Sequence, residues 1–525
     1  MSEDAIERDA TGTGGATAPT AALSSKGLGA GTVSLIGAVV IGVSCVAPAY
    51  TLTGALGATT AEVGSHVPAI FIVGFIPMLL VAFGYRELSQ RMPDSGTSFT
   101  WATRAFGPWI GWMAGWGLAA ATIVVLSNLA GIAVDFFYLA LSQAFSNPGI
   151  ADWTNNAPLN VLTCLAFMAG ATAISYRDMQ TTQKLQYGLI GFQVVVLLLF
   201  GGVAVYKILS GSAFDASPLT LDDFNPFGVD SFSAFAAGVS LSIFIFWGWD
   251  VTLTMSEESK DPERTPGRAA TLTVVIIMAL YLFLACSLLV FAGTGDGEFG
   301  LGNPDIQGNV FFFLADPVLG SLAILVSLAV LFSSAASLQT TFVSPARTLL
   351  AMAHYGAMPP SLARIHPRFG SPARATLVSS VVASVFYAVM RFVSYNVLWD
   401  TITALGMLIC FYYGLTAFAC VWYFRNQWFS SARTTVFQFL SPLVGGVVLA
   451  VIFVQTLVDS ADPSYGSGST LGGVGLVFLL GVGIIVLGIV VMVVQSVRRP
   501  AFFRGEVLPR GVAGDAAEAQ ASLPE

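Results

Sequence analysis

Long apolar runs broken by short polar loops fill the chain from residue 30 to residue 497. Twelve such segments are expected, at about 30–57, 66–88, 107–142, 158–176, 187–209, 231–256, 269–293, 317–353, 375–392, 397–424, 436–459 and 471–497. Most are near or above the roughly 20 residues that a helix needs to cross the hydrocarbon of a bilayer. The pattern predicts an all-α polytopic membrane protein with 12 transmembrane helices. The third and eighth segments exceed one crossing, so they tilt or project beyond it. Residues 1–29 are rich in Ser, Thr, Gly and Ala and lack the basic-apolar-small order of a cleaved signal, so a disordered tail is expected there. A second tail is expected over 498–525.

Charge orients the segments. With the N-terminus inside, all but two of the 22 basic residues fall in the inner loops and tails; only Lys207 and Arg391 lie outside. That asymmetry satisfies the positive-inside rule and predicts a cell-membrane protein with both termini cytoplasmic. Only 10% of the 525 residues are charged, against about a quarter in soluble domains. The net charge of -8 and the lack of a basic face exclude nucleic acid as a partner. Cys45, Cys164, Cys286, Cys410 and Cys420 all sit in apolar segments without metal-type spacing, and read as small core residues. No H-E-x-x-H and no P-loop motif occurs, so neither a membrane metalloprotease nor an ATP-driven pump is expected. No metal, cofactor or catalytic residue is assigned. His66, His354 and His366 lie near membrane faces, leaving no buried imidazole relay.

Two segments are interrupted. In the first, Gly42 and Pro48 bracket Val43, Ser44 and Cys45, where helical bonding is expected to lapse. In the sixth, Phe246-Trp247-Gly248-Trp249 precedes Asp250. A carboxylate inside an apolar span is expensive and marks a functional site by default. The bland alternative makes Asp250 the N-cap of a second half-helix. Broken helices at matching places in two halves point to a secondary transporter with inverted repeats, its substrate bound between them. Ser44 and the carbonyls near it can hold a polar head group, or Ser44 bonds back to its own helix. Asn128 in the third segment reads as an interhelical bond or a substrate contact. Asp135, near the outer end of that segment, is expected to be solvated.

Three stretches resemble the amino acid–polyamine–organocation permeases: FWGWDVTLTMSEESKDPERTP (Phe246–Pro266), YRELSQRMPDSGTSFTWATRAFGPWIGWMAGW (Tyr85–Trp116) and SPARTLLAMAHYGAMPPSLARIHPRFGSP (Ser344–Pro372). The resemblance covers roughly residues 29–425. It implies the fold of the leucine transporter, a 5+5 inverted repeat with helices 1 and 6 broken, over 30–429. Two further helices over 430–497 and the two tails complete the domain plan. The first break departs from the family's usual Gly-Ser-Gly, reading Gly42-Val43-Ser44 with Ala47-Pro48 after it. Some proton-coupled members carry a Lys in the fifth helix, where this chain has Gln193.

Function follows as an expectation. The resemblance implies a permease that imports amino acids by alternating access, coupled to protons, in contact with the lipid bilayer. Substrate contacts are expected from Gly42, Val43, Ser44, Cys45, Ala47, Asn128, Phe246, Trp247 and Gly248. Asp250 would cap a helix, pair with a substrate amine or carry the proton, the last in line with its counterpart in some members. Trp249, Glu257 and Glu258 would gate, with Glu257, Glu258, Lys260, Asp261, Glu263 and Arg264 forming weak, exposed ion pairs on the inner face. Ser333, Ser334, Ser337 and Thr340 lie where sodium-coupled relatives place hydroxyl ligands, though packing is the commoner use of such groups. An amine substrate such as putrescine or ethanolamine is the alternative, since no buried Arg or Lys stands out. A transporter-like sensor or a channel is the alternative of another class, and the oligomeric state is open.

Overall fold

The computed structural model describes residues 26–177, 179–393, 397–511 and 513. Among them, ten helical stretches are long and apolar enough to cross a membrane, with Leu35–Arg91 counted as one run of 57 residues. The protein is a multi-pass membrane protein built almost wholly of helix. In chain order the helices are α1 (Leu35–Val46), α2 (Pro48–Val63), α3 (Val67–Arg91), α4 (Ser98–Phe106), α5 (Pro108–Ala144), α6 (Ala157–Ser175), α7 (Met179–Leu209), α8 (Phe232–Ile245) and α9 (Val251–Thr254). There follow α10 (Thr265–Ala292), α11 (Val310–Leu319), α12 (Ile324–Thr341), α13 (Val343–His354), α14 (Ala373–Val393), α15 (Val397–Tyr423), α16 (Ala432–Thr434), α17 (Ser441–Asp459) and α18 (Leu476–Arg498). Each of the twelve apolar segments falls on one of these helices or on a consecutive pair. The short α4 and α16 have no counterpart among the twelve, and α11 meets the eighth only at residues 317–319.

Helix starts follow local chemistry. Ser34, Ser231 and Asn156 cap α1, α8 and α6 by accepting from the first-turn amides of Gly37, Ala234 and Leu159. Proline occupies a first-turn position in α2, α3, α5, α6 and α10, where its missing N–H costs nothing. The long helices α5 and α12 run against each other through the middle, with α1 and α2 beside α12 and α15 beside α5. The half-helix α8 packs on α2, α3 and α15, and the half-helix α9 on α1, α10 and α13. Helix α8 is held between two glycines: a Cβ on Gly74 of α3 or Gly406 of α15 would collide with Ser242 or Ser240. By contrast α18 turns Val486, Leu487, Val490, Val493 and Val494 outward, as a lipid-facing helix should.

The first and last described stretches both pack near α4. Lys26 contacts Asp94 in the α3–α4 loop, and Gly511 N–H donates to Arg104 O at 2.9 Å. Residues 26–29 of the expected N-terminal tail are therefore packed, Lys26 and Leu28 being buried. On the C-terminal side Phe502 and Phe503 are buried, Phe502 stacked on Phe99 at 5.6 Å. Residues 1–25, 512 and 514–525 of the two tails lie outside the described residues.

Candidate functional site

The first interruption falls at Ala47, not over Val43–Cys45. Helix α1 continues through Val46, and Ala47 adopts the left-handed conformation, φ 56° and ψ 65°, between α1 and α2. The cause is Pro48, which lacks an N–H and crowds the residue before it out of the α region. Gly42 is likewise a packing position, since a Cβ there would press on Thr273 and Thr252. Ser44 does not bond back to its own helix. Its hydroxyl donates to Gln186 Oε1 of α7 at 2.6 Å, and Gln186 Nε2 donates to Ala336 O at 3.1 Å and Gln339 Oε1 at 2.5 Å on α12. From α12, Ser337 Oγ donates to Cys45 O at 2.8 Å. The Cys45 carbonyl at the break thus finds a hydroxyl partner, as backbone at membrane depth must.

The second interruption spans Phe246–Asp250. Gly248 carries it with φ 104°, a conformation that strains any residue with a Cβ. It also faces the first break: a Cβ on Gly248 would lie 3.1 Å from Cys45 C and from Val46 N. The two interrupted helices meet at these points. Asp250 stands at the N-cap of α9, but its side chain makes no capping bond and instead accepts from Tyr412 Oη at 3.3 Å. Tyr412 in turn accepts from Trp247 Nε1 at 2.5 Å. The Tyr85, Trp249 and Tyr413 rings pack on one another at 5.1–5.4 Å beside this carboxylate. Phe246 packs edge-on to Phe75 at 5.7 Å. Trp247 and Trp249 therefore serve different neighbours, the first a hydrogen bond and the second a ring cluster.

Asn128 sits one layer away. It accepts from Tyr50 Oη and donates to Thr401 Oγ1 at 2.8 Å, tying α2, α5 and α15 together. Gln193, the candidate in the fifth helix, is fully buried, and neither polar side-chain atom meets a hydrogen-bond partner among the described residues. The α7 glutamine that reaches the first break is Gln186, two turns earlier. Asp135 is half-buried and accepts from Asn160 Nδ2 at 3.2 Å.

The inner face departs most from expectation. The ion pairs of Glu257 and Glu258 are largely buried, and buried bases are present. Arg347 of α13 grips Glu258 with Nε at 2.5 Å and Nη2 at 2.8 Å, both side chains nearly inaccessible. Lys26 donates to Asp94 Oδ2 and Glu257 Oε1, each at 2.5 Å. Asp94 also accepts from Gly96 N, Thr100 Oγ1 and Tyr355 Oη at 2.6–2.7 Å. Burial opposes charge on Lys26, but Asp94 and Glu257 outweigh it and hold its pKa above the ordinary value. Burial likewise works against the Asp94 carboxylate, and Lys26 with Thr100 and Tyr355 brings it below its usual range. The strand-like segment 31–33 pairs with the loop after α9: Thr32 N and Val33 N donate to Glu258 O, and Lys260 N donates to Val33 O. Sequence reasoning missed Lys26, Asp94, Arg347, Gln186 and Tyr412. Among the described residues no group of three or more His, Cys, Asp or Glu is placed to hold a metal.

A family pattern described as "Amino acid permease" matches residues 31–458, which contain both breaks and the Arg347–Glu258 pair but not Lys26. The chain belongs to this permease family. It is 26% identical over 371 residues to the methylthioribose transporter of Bacillus subtilis, 69% of this chain and 75% of that one. To the branched-chain amino acid permease BcaP of Lactococcus lactis it is 25% identical over 353 residues, 65% of this chain and 72% of the relative. A third relative, the low-affinity putrescine importer PlaP of Escherichia coli, is 25% identical over 180 residues, 34% of this chain and 36% of its own length. The chain thus spans about a third of PlaP and about three quarters of the other two. As a permease, the protein is a membrane transporter rather than an enzyme.

Proposed function

We propose that this permease is a secondary active transporter that imports an amino acid, bound between the interruptions at Ala47 and Phe246–Asp250, together with a proton. The observation that carries the reading is the approach of Gly248 to the Cys45–Val46 backbone. Two half-helix ends converge there on a buried carboxylate, which is how alternating-access transporters build a midplane site. Gly42, Val43, Ser44, Cys45, Ala47, Phe246, Trp247 and Gly248 would line it, with Asn128 on its outer side and Asp250 as the proton carrier. Trp249, Glu257 and Glu258 would gate, the last two through Lys26 and Arg347. The same reading divides Leu35–Arg91 at Gly64, whose φ is 57°, into two crossings and adds the pair α8–α9 as another. Twelve spans result, arranged as a 5+5 repeat plus two, with cytoplasmic termini in the cell membrane.

An amine substrate is the second reading. It is favoured by the buried Asp250 and by the relationship to a putrescine importer. Reconstitution into proteoliposomes tests both. Labelled amino acids of each side-chain class, putrescine and ethanolamine are offered under an imposed pH gradient, a sodium gradient or none. Accumulation of an amino acid driven by the pH gradient is expected. Accumulation of amines alone selects the second reading, and a sodium requirement removes the proton from the first. Downhill flux without accumulation would indicate a channel, and binding without flux a sensor.

A further inference from the structure

On the face opposite Lys26 the bundle opens into a cavity of about 580 Å3, lined by Gly54, Ile132, Asp135, Thr154, Arg391 and Trp399 among others. It holds Asp135 and Arg391 on one wall, joined by a fixed network, and a second carboxylate, Asp305, exposed to solvent at its edge. Arg391 Nη2 donates to Thr154 O at 2.8 Å. Asn160 Nδ2 donates to the same carbonyl at 3.0 Å and to Asp135 Oδ1 at 3.2 Å. Tyr387 Oη donates to Asn160 Oδ1 at 2.6 Å and fixes the amide. Three bonds in series thus hold the guanidinium and the carboxylate no farther apart than their combined length. An α-amino acid with one hydrogen bond of about 2.9 Å at each end spans roughly 9 Å, so its two charged groups can be satisfied here together. Arginine suits a carboxylate because its donors match both oxygens.

We infer that this cavity is a second binding site, selective for zwitterionic α-amino acids, with Arg391 receiving the carboxylate and Asp135 the ammonium. The inference rests on the amino acid reading above but concerns a different place. Its floor, Ile132 and Ile402, adjoins Asn128 and Thr401, whose bonds to each other and to Tyr50 separate it from the broken centres. A free carboxylic acid meets Arg391 but leaves Asp135 unmatched, and a simple amine does the reverse. The site therefore selects by charge pattern before side chain matters, and it concentrates substrate on the approach to the centre.

The test is protection of a cysteine reporter. Gly308 is exposed on the cavity rim with open space where a Cβ would go. Gly308→Cys in a Cys286→Ala background is labelled with a membrane-impermeant maleimide. Labelling runs with L-alanine, L-leucine, L-phenylalanine, L-glutamate or L-arginine, and with 3-methylbutylamine or 4-methylpentanoate as single-charge counterparts of leucine. At least one amino acid, offered at about ten times its dissociation constant, should slow labelling about tenfold, while both counterparts leave it unchanged. Arg391→Gln and, independently, Asp135→Asn should each remove the protection, and Arg391→Lys should restore part of it. Protection should persist with Gly248→Leu added, which obstructs the centre. The inference is overturned if none of the five protects, if protection survives Arg391→Gln, or if Gly248→Leu abolishes it. Uptake by the Gly308→Cys parent tests the central site separately.

Discussion

Gly248 and Asp250 show how single residues carry the proposed transport step. A side chain at 248 must tolerate φ 104° and also displace the Cys45–Val46 backbone. Gly248→Leu should abolish uptake in proteoliposomes while detergent-solubilised protein still elutes as a single folded species. Full uptake by that variant would remove the meeting point as the binding place. Asp250→Asn keeps the shape of the protonated acid and its contact with Tyr412, so exchange of substrate should continue while accumulation loses its dependence on the pH gradient. If the Asn variant still accumulates with wild-type pH dependence, Asp250 is a structural carboxylate and coupling lies elsewhere. Asp250 was legible because an acid in an apolar run stands out. Lys26 was not, because its partners lie 68 and 231 residues away in the chain and its neighbours read as a flexible tail. Gln186 was hidden among other glutamines of α7, which only the position of α1 can tell apart.

Among elements, the inner closure joins segment 26–33, the α3–α4 loop, the loop after α9 and α13. Removing one partner of a buried pair leaves the other charge desolvated, at a cost of about 3–5 kcal/mol. Arg347→Gln and Lys26→Gln should each shift the protein toward inward-facing forms. That is measurable as faster labelling of Ser259→Cys, a position buried in the loop after α9 while the closure holds, and unchanged labelling would sink the assignment of the closure. The sign with pH is fixed. Asp94 is held below its ordinary value, so its contribution is complete above about pH 4 and is lost only as pH falls through the lowered value. Lys26 is held above its own, so its contribution persists up to about pH 10 and is lost as pH rises further. Between those limits Lys26 and Asp94 keep their charges, so the pair itself should be insensitive to pH. Sequence placed both broken elements correctly but put the first interruption too early, because Gly42 looked like the hinge. Proline acts on the residue before it, and Gly42 serves helix packing against Thr273 and Thr252.

For the whole molecule, hydropathy and charge made the helical segments legible, since lipid demands long apolar helices and basic residues mark one side. The short α4 and α16, and most of α11, escaped because none is long enough to show as a span. The proposed topology predicts that Ser464→Cys, exposed in the loop before α18, reacts with an impermeant maleimide from outside intact cells. Glu506→Cys, exposed beyond α18, should react only after permeabilisation. Phe502 is unsuitable for this purpose because it is buried against Phe99. The opposite pattern would overturn the orientation.

The closure around Lys26 also bears on tempo. A buried ion pair returns little more energy than the water it displaces, so it barely tilts the balance between open and shut forms. Dehydrating Lys26, Asp94 and Glu257 must nonetheless precede their contact, and hydration must return before they part. Such steps raise the barrier in both directions while leaving its two ends nearly level. Turnover should then climb steeply with temperature, and an apolar replacement of all three groups, Lys26→Met with Asp94→Leu and Glu257→Leu, should flatten that climb. An unchanged Arrhenius slope in the triple variant would place the slow step outside this closure.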